Sequence, residues 1–205
     1  MLIINLFRKG IFMQHTARFG KVAEIMIKKK FNLLPPFNNK YDLLDGVNNQ
    51  RIEVKFSTVK TKASETINES NILEKCITAK WQNQPIKYEE CRKKVFDRNI
   101  EQVKPTEFDI LYYGLFFWDR ILIFQVDTGT MSSLPGWSDK MHLGKAGNYV
   151  EGQFHINNEN VQYHIEHHLV DTLSYEQLYD LVNPYESTCI LICSLLKEIR
   201  NLWKH

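Results

Sequence analysis

Residues 51–58 alternate without a break, with Ile52, Val54 and Phe56 on one side and Glu53, Lys55 and Ser57 on the other. Side chains of a strand repeat every second residue, so this pattern commits one face of a β-strand to a core and sets a charged pair on the opposite face. Residues 41–44 form a short apolar-biased strand before it, and Asp45 to Asn49 supply turn chemistry. Upstream, Ala17, Phe19, Val22, Ile25 and Met26 recur at helical spacing within residues 16–31. Lys28, Lys29 and Lys30 crowd the last turn, where the helix dipole favours cations. Pro35 and Pro36 forbid continuation of that helix. A helix followed by a strand pair implies an α/β chain.

Further along, residues 64–79 and 88–99 are rich in Glu, Lys, Leu and Ile and predict a helical insertion broken at 82–85. Residues 108–117 and 120–126 predict two strands around a tight turn at Trp118 and Asp119. Residues 127–150 show little periodicity, and a loop of that length in a compact domain is usually functional or mobile. Residues 151–156 and 161–169 predict a hairpin through 157–160, with Val161, Tyr163 and Ile165 alternating on its second strand. Ser174 and Gln177 have capping-box spacing and open a helix toward Val182. After Pro184 a last helix over 185–203 carries a broad apolar face including Ile190, Leu195 and Ile199. The expected fold class is α/β, a central mixed sheet flanked by helices, in one domain over residues 1–205 ending in helices at 174–203.

The chain has 205 residues, 43% apolar and 24% charged, enough for one domain with a core and incompatible with disorder or a coiled coil. A formal charge of +2 leaves the question of a polyanionic partner to individual sites. Cys76, Cys91, Cys189 and Cys193 contain no CxxC pair, which argues against a disulfide framework or zinc module and suits a reducing compartment. The opening apolar run is cut short by Arg8 and Lys9, and residues 189–196 are too few to span a bilayer. A cytoplasmic protein with no membrane association is expected.

The chemistry concentrates in residues 41–57. Glu53 and Lys55 share one strand face, and a hairpin would set the carboxylate of Asp42 beside Glu53. Converging carboxylates repel unless a cation lies between them, which makes them a seat for a hard divalent ion such as Mg²⁺. The Val54 carbonyl could add an oxygen ligand, and Glu24 on the first helix could reach the same metal or form a second site. A metal polarising a phosphoryl oxygen, with the Lys55 ammonium orienting water, is equipped to hydrolyse a phosphodiester. Glu-x-Lys on a strand is common as a solvated cross-strand pair. What sets this chain apart is the order helix with Glu24, strand with Asp42, strand with Glu53-Val54-Lys55.

In that order and in those residues the chain resembles the PD-(D/E)XK nuclease superfamily, most closely its type II restriction endonucleases. The resemblance covers roughly the first 60 residues well and the strands up to Val126 loosely. It implies a restriction-endonuclease-like core, Mg²⁺ held by Asp42 and Glu53, Lys55 serving the attacking water, and products with 5′-phosphate ends. It also implies a DNA methyltransferase of the same specificity as a companion. Tyr41 stands where the motif has proline, which leaves Asp45 as a competing first aspartate. Asp42 is preferred because it lies in the apolar strand and not in the Asp-Gly turn.

Sequence-specific cleavage needs side chains that read base edges, and residues 127–169 offer them. Lys140, His142, Lys145, Asn148, Gln153, His155 and Asn157 are the candidates, lysines for phosphate and Asn or Gln for bases. Lys60, Lys62, Arg92, Lys93, Lys94 and Arg98 could line a DNA channel or simply be solvated. His164, Glu166, His167 and His168 lack HExxH order, and strand alternation would split them across two faces. One active site cuts one strand, so a homodimer on a two-fold symmetric double-stranded site is expected, with the 185–203 face as dimer surface or core. The alternatives are a structure-selective or repair nuclease of the same fold and a non-catalytic DNA-binding protein.

Overall fold

The computed structural model describes residues 2–60, 84–139 and 151–183. The helices expected at 64–79 and 185–203 lie outside the described residues. The chain opens with α1 (Leu2–Met13) and α2 (Thr16–Lys30), followed by strands β1 (Leu43–Asp45) and β2 (Gln50–Thr58). Strands β3 (Asp97–Val103), β4 (Ile110–Phe116), β5 (Ile121–Asp127) and β6 (Gly152–Asn157) come next. The described part ends with α3 (Val161–His168), β7 (Leu169–Leu173) and α4 (Tyr175–Val182). The strands form a five-stranded sheet in the order β1-β2-β4-β5-β7 and a two-stranded sheet of β3 and β6. Among the described strands only β2 and β4 pair in parallel, so the central sheet is mixed and its flanks are helical, as an α/β chain requires.

The alternation in residues 51–58 does what it predicts. Ile52 and Val54 join Ile110, Tyr112 and Ile123 on a face packed against Phe19, Met26 and Ile27 of α2. The opposite face, Leu111, Tyr113, Leu115, Leu122 and Phe124, packs against Ile100, Phe154 and Val161. Strand β4 lies between two neighbours and under both layers, and all seven of its residues are buried. At its centre a Cβ on Gly114 would stand 2.1 Å from the Leu122 carbonyl oxygen and 2.4 Å from the Phe56 ring, so only glycine lets β2, β4 and β5 approach here. Arg51 makes a forked pair with Asp109, Nη2 to Oδ1 at 2.7 Å and Nε to Oδ2 at 3.0 Å, which pins the start of β2 to the entry of β4.

Two expectations are corrected. Residues 88–99 are not a helix: a 3₁₀ turn at Tyr88–Glu90 leads into strand β3, which pairs with β6. Their Glu and Lys content suits a helix, but Phe96 and Ile100 are buried in the core beneath the main sheet, and tertiary packing overrides propensity. Residues 161–168 are a helix and not the second strand of a hairpin. The Asn157 side chain accepts the backbone N–H groups of Glu159 and Asn160, a tight local turn that starts α3. Val161 and His164, three apart, then face the core, and the alternation of Tyr163 and Ile165 is incidental. Ser174 and Gln177 form the reciprocal capping box expected of them.

His164 is fully buried, with Nδ1 2.9 Å from the Tyr113 hydroxyl. Burial pushes its pKa down to about 4, and His168 adds to the effect. The folded value lies below the unfolded one, so the unfolded chain binds the extra proton first. Stability contributed by the neutral ring is therefore complete above the unfolded pKa of 6.5 and is lost as pH falls toward about 4. The loss should be on the order of 3 kcal/mol. Urea unfolding at a series of pH values should show this acid limb, and His164→Gln, which can still bond Tyr113 but does not titrate, should flatten it. An unchanged limb would mean that other groups drive acid unfolding.

Candidate active site

The site grows out of the β1–β2 hairpin. Asp45 closes the turn: its Oδ1 accepts the N–H groups of Val47 and Asn48, and its Oδ2 accepts from the Asn48 side chain. Those Asn48 bonds hold its carboxyl below the ordinary range, and the competing candidate is thereby spent on the turn. Against expectation Asp42 lies one residue ahead of β1 and Asp45 is the last residue of that strand, but the Asp42 N–H still pairs with β2, donating to the Ile52 carbonyl at 2.9 Å. Its Oδ2 accepts the Val54 N–H at 2.8 Å. Because Ile52 turns its carbonyl to the β1 edge, Val54, two residues on, turns its carbonyl to that edge as well, beyond the end of β1.

Glu53 and Lys55, side by side on the face opposite Val54, are joined at 2.9 Å between Oε1 and Nζ. The Glu53 side chain is 13% exposed and that of Lys55 27%. Burial pushes both Asp42 and Glu53 above the ordinary carboxylate range, and the Asp42 charge raises Glu53 further. The Lys55 charge pulls both back down, and the Val54 N–H does the same for Asp42. Glu24, paired with Lys21 on α2, contributes a further upward push on Asp42.

Two clefts open here. One, of 310 Å³, is walled by Glu53, Lys104, Glu107 and Glu151, and the other, of 580 Å³, by Glu24, the first turns of α2 and β3. Asp42, Lys55 and Gln102 line both. Among the described residues no three His, Cys, Asp or Glu side chains stand together as a closed metal cage. Mg²⁺ does not need one, since it is bound by one or two carboxylates and completes its shell with substrate phosphate and water. Two half-buried carboxylates of raised pKa beside a backbone carbonyl are a donor set of that kind. The structure thus brings Asp42, Glu53, Val54 and Lys55 together, with Glu24 at the rim.

The recognition candidates divide. Lys140, His142, Lys145 and Asn148 lie outside the described residues. Gln153, His155 and Asn157 share the outward face of β6, alternating with buried Gly152, Phe154 and Ile156. Each is bonded within the protein: Gln153 Oε1 accepts from Asn99 at 3.0 Å, His155 Nδ1 lies 2.8 Å from Asp97, and Asn157 serves the turn before α3. Among the expected channel lysines and arginines, Lys60 donates to the Phe12 carbonyl and Arg98 to the Lys60 carbonyl, Arg92 pairs with Gln162, and Lys94 with Glu90. Lys62 lies outside the described residues.

Gln102, Lys104, Glu107 and Glu151 belong to the clefts and carry no signal of it in the sequence. Lys104 lies 3.5 Å from Glu151 and 4.0 Å from Glu107. No helix among the described residues is long and apolar enough to cross a membrane. Comparison with protein-family models, curated proteins and solved structures found no match to this chain.

Proposed function

We propose that this chain is a type II restriction endonuclease with a PD-(D/E)XK core, a Mg²⁺-dependent enzyme that hydrolyses double-stranded DNA to 5′-phosphate ends. The observation that carries the reading is the meeting of Asp42 and Glu53, two half-desolvated carboxylates of raised pKa, with Lys55 paired to one of them. Asp42, Glu53 and the Val54 carbonyl would hold the metal. Bound Mg²⁺ supplies polarisation of the phosphate and neutralises its charge. Lys55, fixed by Glu53, orients the attacking water and offsets the charge that builds on the phosphoryl oxygens. Water adds to phosphorus, the bond to the 3′ oxygen breaks, and the leaving strand takes up a proton as a 3′-hydroxyl.

A homodimer on a two-fold symmetric site, a companion DNA methyltransferase of the same specificity and a cytoplasmic location complete the proposal. One observation favours a second reading, a structure-selective or repair nuclease of the same fold: Gln153, His155 and Asn157 are all engaged inside the protein. Incubating the purified chain with phage-sized duplex DNA, with and without Mg²⁺, and sizing the fragments tests both. Discrete Mg²⁺-dependent bands are expected. A smear would support the structure-selective or non-specific nuclease, and DNA left intact in every lane would overturn the nuclease reading in favour of a binding protein.

A further inference from the structure

We infer that Gln102 is a substrate-contacting residue, its side-chain amide donating to a non-bridging oxygen of the phosphodiester that lies across Asp42 and Lys55; the inference rests on the nuclease reading above. Among the described residues only Asp42, Lys55 and Gln102 line both clefts, so a chain passing from one cleft to the other crosses all three. Gln102 arrives there by an irregularity: the β3–β6 register shifts between Ile100 and Val103, and Gln102 takes φ 56°. Bulges of this kind re-aim side chains and recur beside active sites.

Among the described residues the other non-glycine positions at positive φ are Asn32 and Asn49, one just past α2 and one in the β1–β2 turn. Asparagine suits such positions because its short side chain can bond locally, whereas glutamine has no such advantage and glycine would avoid the strain. Gln102 is exposed, and among the described residues its amide bonds to nothing that would reward the conformation. Strain held without local return is characteristic of functional positions. Asp42, Glu53, Glu107 and Glu151 outnumber Lys40, Lys55 and Lys104 around the smaller cleft, so an anionic strand gains from a neutral N–H donor facing its phosphate there.

The test compares wild type with Gln102→Gly, Gln102→Asn and Gln102→Glu, measuring melting temperature and the kcat and KM of Mg²⁺-dependent DNA cleavage. The glycine variant should melt at or above the wild-type temperature and cut about 10²-fold more slowly. Asparagine, which tolerates positive φ and keeps the amide, should recover part of the rate, and glutamate should cut no faster than glycine. A glycine or glutamate variant with wild-type kcat and KM would remove the role and leave the nuclease reading standing. A wild-type chain that cuts no DNA would overturn that reading and this one with it.

Discussion

Lys55→Ala is expected to lower the rate of Mg²⁺-dependent DNA cleavage by about 10²- to 10³-fold, the loss seen when one charge-stabilising donor is removed from a hydrolytic site. The fold should survive, because the Lys55 side chain sits at the cleft and its described partner is Glu53. What changes is electrostatic. The Lys55 charge pulls Glu53 down and adds to the Val54 N–H in pulling Asp42 down, so without it both carboxyls rise further and the acid limb of the rate profile moves to higher pH. Lys55→Arg keeps the charge but not the compact ammonium and should recover the pH limb more than the rate. Single-turnover rates across pH separate these effects. Were Lys55 only the counter-ion of Glu53, the alanine variant would lose about 1 kcal/mol or less of stability and cut at the wild-type rate.

Asp42→Asn should reverse the order of thermal stability with and without metal. The folded carboxyl titrates above its unfolded value, mainly through burial, so its stability contribution falls as pH rises through the folded pKa. At pH 7 it is therefore a net cost in the metal-free chain. Asparagine removes that charge while its Oδ1 can still accept the Val54 N–H, and in chelator the variant should melt above wild type. Added Mg²⁺ at 100 times its dissociation constant should stabilise wild type by about 2.7 kcal/mol and the variant hardly at all. Cleavage should be lost. A variant that melts lower in chelator yet keeps the Mg²⁺ shift would show that Asp42 acts only as a cap on Val54.

Most of the candidate site was legible because it is local. Asp42, Glu53 and Lys55 sit on one short hairpin, so period-2 alternation and a recognisable turn suffice to bring them together. The preference for Asp42 over Asp45 rests in the end on hydrogen bonding, since Asp45 spends both carboxylate oxygens on the turn while Asp42 bonds the Val54 N–H through Oδ2. Residues 88–99 and 161–168 depart from the pattern of their sequence for a common reason. Over eight to twelve residues, composition and alternation do not separate a helix from a strand, and the element is decided by which side chains the neighbouring layer buries. For the first segment that layer includes β6, far along the chain.

By itself, then, the sequence determined the α2 helix, the β1–β2 hairpin, the β4–β5 pair and the charged pair on one strand face, all properties of periodicity and turn chemistry over neighbouring residues. Only the tertiary structure decided that β2 runs parallel to β4, that β3 and β6 form a second sheet, and that Gln102, Lys104 and Glu151 enter the clefts beside Asp42. Those outcomes depend on contacts between distant segments. Each such contact gains stability only once the others have formed, so no local stretch of sequence carries it.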